Sequence, residues 1–224
     1  MFIRVVEFTW RAVRRPSILG LSAAGTVGVH LAYRQLAADA EFWMLPTSTM
    51  PWVALALCAW GWLGLSVTRT ALDVIRADFR PRPVHWVPLP VAFEAGVVAL
   101  ALAVPVLALL VFLIVPGLWL ALRWSQATML ILDGEARWFE AAGDSAVWTD
   151  GRKTTILLVW LAFSAVTMVV TWLAGVAGAV ALDVSGSATI AGVPVLLGRI
   201  ATDAAGLVVV AALYASIDGR PAAF

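Results

Sequence analysis

A few ionisable residues stand where water should be scarce, and their types and spacing are the ones that could do chemistry. Arg199 and Asp203 lie four apart in the last apolar run, on one helical face with Gly206. Helical rise puts Arg123 about 10 Å below a Pro116-Gly117 turn, and Arg199 and Asp203 roughly 12 and 18 Å below the start of their own run. These depths predict one polar cluster in which Arg123 and Arg199 both approach the Asp203 carboxylate. An ionisable group inside a bilayer costs about 2.5–3.5 kcal/mol on insertion scales, so such a cluster demands a reason. Two reasons stand open: an ion cluster that ties two helices together, or an ion or proton site on a transport path. Glu94, at one end of another apolar run, raises the same question at an interface.

His30 sits in Gly28-Val29-His30-Leu31-Ala32. A membrane histidine flanked by small residues is either a polar contact between helices or an axial ligand to haem iron or chlorophyll magnesium. The second histidine, His85, falls in a loop, so haem held by both is not expected. No other cofactor and no metal site is expected. Metal-ligand spacing, an H-E-x-x-H helix, a Gly-rich phosphate loop and a serine with a histidine base are all missing, so the chain reads as no enzyme.

The elements that must position these residues are transmembrane helices. Of 224 residues, 62% are hydrophobic and 13% charged, where soluble domains carry about a quarter charged residues. Lipid is therefore the solvent, and a net charge of +1 argues against a nucleic-acid partner. Hydropathy and punctuation predict an all-α polytopic fold of six transmembrane helices over about 17–36, 51–67, 91–115, 118–132, 154–182 and 191–217. Two amphipathic interfacial helices are expected besides, at 1–15 and about 135–148. The domains are then an interfacial helix at 1–16, one membrane domain at 17–217 and a tail at 218–224. The fourth span is short, roughly 22 Å against a hydrocarbon core of ~30 Å, which favours a shallow hairpin tip at Pro116-Gly117. Pro105 interrupts the third span and predicts a kink.

Orientation follows from charge. Twelve of the fifteen basic residues fall in segments on one predicted side, among them Arg4, Arg11, Arg14, Arg69, Arg76, Arg137 and Arg152. None falls in a segment on the other. Cytoplasmic loops retain Lys and Arg, so both termini are expected in the cytoplasm of a bacterium, with the chain in the inner membrane. Arg34, Arg123 and Arg199 are the exceptions, and Arg34 is expected to snorkel to the outer surface. Trp10, Trp86, Trp138 and Trp148 should mark the inner interface, and Trp43, Trp52 and Trp119 the outer one. Small residues at Gly20, Ala24 and Gly28, and a stripe of Ser164, Thr167, Thr171, Gly175 and Gly178, suit close helix contacts.

The stretch from Val115-Pro116-Gly117-Leu118-Trp119 to Arg123-Trp124-Ser125, followed by Asp133-Gly134, Glu140, Ser145, Thr149, Gly151 and a closing Tyr214, resembles a broad family of bacterial six-helix membrane proteins. Its members include the YciC-like proteins and the membrane domain of some glycerophosphodiester phosphodiesterases. The resemblance covers residues 115–153 best and implies the same six-helix architecture, with no activity attached. The resulting expectation is a non-catalytic accessory, scaffold or assembly subunit that contacts membrane lipids and other integral membrane subunits. A transporter or channel for a small solute or lipid, working through Arg123, Arg199 and Asp203, is the alternative. A pigment- or haem-associated subunit, ligated at His30, is a third reading.

Overall fold

A computed structural model describes residues 1–39, 50–77, 79–80 and 82–218, with the backbone alone at 32–39, 50, 52 and 53. Among these residues every regular element is a helix: α1 (Phe2–Val13), α2 (Pro16–Asp39), α3 (Met50–Arg76), α4 (Leu89–Phe112), α5 (Ile114–Trp124), α6 (Ala127–Asp133), α7 (Glu140–Trp148), α8 (Lys153–Ser185) and α9 (Ala188–Asp218). Prolines and glycines set the limits. Pro16 opens α2, where its missing N–H is no loss. Gly134 and Gly186 close α6 and α8 in the left-handed conformation that favours glycine.

Four helical segments are long and apolar enough to cross a membrane: Ala54–Arg76 in α3, Leu89–Phe112, Lys153–Ser185 and Ala188–Asp218. The first span has a counterpart in α2, whose described apolar stretch is the shorter Pro16–Leu31. The expected fourth span is not one helix. Its segment breaks after Trp124 into α5 and the short α6, because Ser125 and Gln126 turn their polar groups inward. The chain reversal also differs from expectation. It falls at Leu113, one residue after α4, while Pro116 and Gly117 lie in the first turn of α5. There Gly117 meets the α4 backbone so closely that a Cβ would lie 2.5 Å from Leu110 N. The hairpin tip, Val111 to Val115, is exposed and wholly apolar.

Buried residues gather at the end of the bundle that holds the C-termini of α3 and α9. Val67, Leu72, Met129, Leu130, Ile156, Leu213 and Tyr214 form its core. Farther along, α4 and α8 present large apolar side chains outward, such as Leu100, Val104, Met168 and Trp172, as helices in lipid do. At the core end protein, not lipid, covers the apolar side chains. The segment after α3 folds back along that helix: Val87 N–H donates to Ser66 Oγ, His85 N–H to Thr70 Oγ1 and Trp62 Nε1 to the Val87 carbonyl.

Three further expectations shift. α1 is docked on α9 and buries Val5 and Ala12, instead of lying against lipid alone. The helix expected at 135–148 begins only at Glu140, because Gly134 and Trp138 take positive φ and the Glu94 carboxylate accepts the Trp138 N–H at 2.6 Å. The α8–α9 seam is turned from the predicted stripe. Ala174 faces Gly198, Phe163 faces Gly206 and Gly178 faces Ala191, while Ser164, Thr171 and Gly175 are exposed. The loop with Trp43, the side chains of Arg34 and Trp52, and the tail beyond Asp218 lie outside the described residues.

Candidate functional site

Two polar assemblies lie in the bundle. One is a cavity of about 380 Å³ between α2, α3 and α9, lined by Thr26, Val29, His30, Leu57, Trp60, Arg199 and Asp203. The four-residue spacing on α9 sends Arg199 and Asp203 to one face, and α2 brings Thr26 and His30 opposite. Thr26 Oγ1 donates to Asp203 Oδ2 at 2.8 Å. Among the described residues neither Arg199, Asp203 nor His30 takes part in an ion pair. A carboxylate, a guanidinium and an imidazole thus line one space within the predicted hydrocarbon depth. Together they offer both donors and acceptors to an occupant.

Arg123 takes no part in this cavity. Its guanidinium lies 4.9 Å over the Trp119 ring, and the Lys153 ammonium stands 5.6 Å from the same ring. Trp119 therefore sits beside the start of α8, at the end where the core lies, and not at the opposite interface. Arg123 lies apart from the cavity because the chain reverses at Leu113, which sets its depth on α5 independently of α9. Arg199 and Asp203 line the same cavity, and His30 lines it with them.

The second assembly is an ionic hub in the core end. Asp133 Oδ1 accepts from Arg69 Nη1 at 2.6 Å and from Arg76 Nη1 at 2.7 Å. Its Oδ2 accepts from Arg76 Nη2 at 2.7 Å and from the Tyr214 hydroxyl at 3.0 Å. Arg76 Nη2 also reaches Asp218 Oδ2 at 2.5 Å. The side chains of Asp133 and Asp218 are 4% and 2% exposed. Burial opposes ionisation of Asp133, but hydrogen bonds from Arg76 and Arg69 outweigh it and hold the carboxyl down at about 2. Arg69 continues outward to Asp73 at 3.6 Å, and Asp73 to His85 Nδ1 at 2.8 Å. The hub joins α3, α6 and α9. Its arginines read in the sequence only as membrane-flanking charges; the available signal was Arg69, Asp73 and Arg76 on one helix face.

The motif residues of the return arm surround the same end. Ser145, fully buried, donates to the Arg123 carbonyl at 2.9 Å and accepts the Gln126 N–H at 3.1 Å. It satisfies both backbone groups freed by the break between α5 and α6. Thr149 donates to the Ser145 carbonyl at 2.9 Å. Gly151 turns the chain into α8 at φ +69°, and Tyr214 stacks on Trp148 with ring centroids 5.4 Å apart. Glu140 opens α7 at the surface. Among the described residues, no three His, Cys, Asp or Glu side chains gather as metal ligands. No protein-family model matches the chain, and no curated protein and no solved structure matches it either.

Proposed function

We propose that this chain is a non-enzymatic bacterial inner-membrane protein that binds and carries a small dipolar solute in the α2–α3–α9 cavity. The observation that carries this reading is the placement of Arg199, Asp203 and His30 around one space without an ion pair among them. Ionisable residues at membrane depth that face a cavity mark substrate and ion pathways. Arg199 supplies donors for an anionic group of the solute, and Asp203 accepts from a cationic one. The twelve one-sided basic residues support a cytoplasmic placement of the core end and both termini. In this topology the α4–α5 hairpin enters from the cytoplasmic side and returns to it. Its apolar tip and the neighbourhood of Trp119 and Lys153 support that course. The likeness of residues 115–153 to the YciC-like proteins belongs to the same proposal, with Ser145, Thr149 and Tyr214 as scaffold.

The test is uptake of radiolabelled amino acids, as a panel of dipolar solutes, by proteoliposomes. Wild type should accumulate at least one, while Asp203→Asn and Arg199→Gln lose uptake and keep their melting temperatures. Variants that instead lose stability in proportion to uptake would make the cavity residues structural.

A second reading rests on α2. Gly20, Ala24 and Gly28 are exposed, and a Cβ at either glycine meets nothing within 4 Å. Such an open small-residue face suits a helix of another membrane subunit, as in an accessory or assembly component. Gly28→Leu should then release a co-purifying subunit while leaving the chain folded. Purification of the wild-type chain alone from gently extracted membrane would remove this reading.

A further inference from the structure

An apolar groove of about 400 Å³ runs between α1, α8 and α9, lined among others by Val6, Trp10, Phe163, Val166, Ala205 and Val209. Its threonines on α1 and α9 turn away from any occupant: Thr9 donates to the Val5 carbonyl and Thr202 to the Arg199 carbonyl. Along α8 the lining extends from Val159 to Val170, about 16 Å at the helical rise, or roughly half of a ~30 Å hydrocarbon core. The groove thus has the length of one leaflet.

Its rim at the core end is cationic. Arg14 lies 4.0 Å over the ring of Trp10, which itself lines the groove. Arg11 is paired with Glu7, and Arg15 donates to the Phe79 carbonyl, so their charges are engaged. Among the described residues Arg14 has no carboxylate partner, and neither has Arg4 on the same helix. A tryptophan that presents an apolar body to the groove and its ring face to a guanidinium marks a boundary between hydrocarbon and head groups. We infer that this groove holds one acyl chain of an anionic diacyl phospholipid whose phosphate is bound by Arg14. Apolar burial alone gives no selectivity in a bilayer, where every competitor is equally apolar. Discrimination must therefore come from the guanidinium, and retention from the fit of the chain.

Native mass spectrometry of the full chain, delipidated in detergent and then exposed to phosphatidylglycerol or phosphatidylcholine, tests both halves. One phosphatidylglycerol should remain bound at activation that strips phosphatidylcholine. Arg14→Gln should lower its retention about fivefold, which is the loss of roughly 1 kcal/mol expected for one basic residue at a lipid surface. Val166→Trp, which fills the groove and leaves every charge in place, should lower it as far. Circular dichroism melts should show both variants folded. Equal retention of the two lipids by wild type, or undiminished phosphatidylglycerol in Val166→Trp, would overturn the assignment and leave only surface attraction to basic residues.

Discussion

Replacing Asp133 by asparagine keeps the shape of the ionic hub and removes its one central negative charge. The carboxylate accepts four hydrogen bonds, three of them from two guanidiniums. An asparagine oxygen takes two at most, and its amide turns a donor toward groups that also donate. Each lost charge-assisted bond is worth about 1.5–3 kcal/mol. Two losses would give 3–6 kcal/mol. Arg76 keeps Asp218, and Arg69 keeps the Leu132 carbonyl at 3.0 Å, so the lower end, about 3 kcal/mol, is expected. That is roughly a hundredfold in the folding constant. The assay is reversible unfolding in mixed micelles of mild detergent and dodecyl sulfate, followed by far-ultraviolet circular dichroism. Asp203→Asn is the matched control. It makes the same chemical change in the cavity, where among the described residues Asp203 accepts a bond from Thr26 alone, and should cost under about 1 kcal/mol. If Asp133→Asn cost no more than Asp203→Asn, the hub would not be what holds α3, α6 and α9 together.

Acid should act on the same carboxylate. Its pKa falls from the ordinary 3.8 to about 2 on folding, so its contribution, ~2 kcal/mol, is complete above pH 4 and disappears as pH falls through 2. Unfolding free energy measured from pH 5 to pH 2 should drop for wild type and show this component gone in Asp133→Asn; parallel curves would sink the idea. Gly117→Ala drives a methyl group into the α4 backbone, 2.5 Å from Leu110 N and 2.8 Å from the Leu109 carbonyl carbon. A loss of about 1–3 kcal/mol in the same unfolding assay is expected, and an unchanged midpoint would show that the hairpin yields. Ser145→Ala leaves the Arg123 carbonyl and the Gln126 N–H without that hydroxyl. It should cost about 1–3 kcal/mol and speed amide hydrogen exchange at Gln126, whereas exchange as slow as wild type would point to another partner.

Sequence and structure part company where helices must be placed against one another. The positions of α3, α8 and α9 follow from apolar length alone, because a bilayer admits few other solutions for such segments. Arg199 and Asp203 were legible together since i, i+4 spacing is a property of one helix. Arg123 was not, because its depth depends on the reversal at Leu113 and the break after Trp124, and neither leaves a periodic signal. The hub was hidden for a related reason. Arg69 and Arg76 satisfy the charge-flank pattern whether they face water or Asp133, and only packing distinguishes the two. Tyr214 could be singled out as a residue, yet its role depends on Asp133, which precedes it by 81 positions.

That separation along the chain has a consequence for biosynthesis. Arg76 meets Asp133 across 57 residues and Asp218 across 142. A ribosome adding about 5–20 residues per second needs about 7–30 s to bring Asp218 out after Arg76. For the first 57 residues of that interval Arg76 has neither carboxylate of the hub, and from then until Asp218 emerges it has Asp133 alone of the two. The core is thus sealed by α9, the last of the described helices to be made.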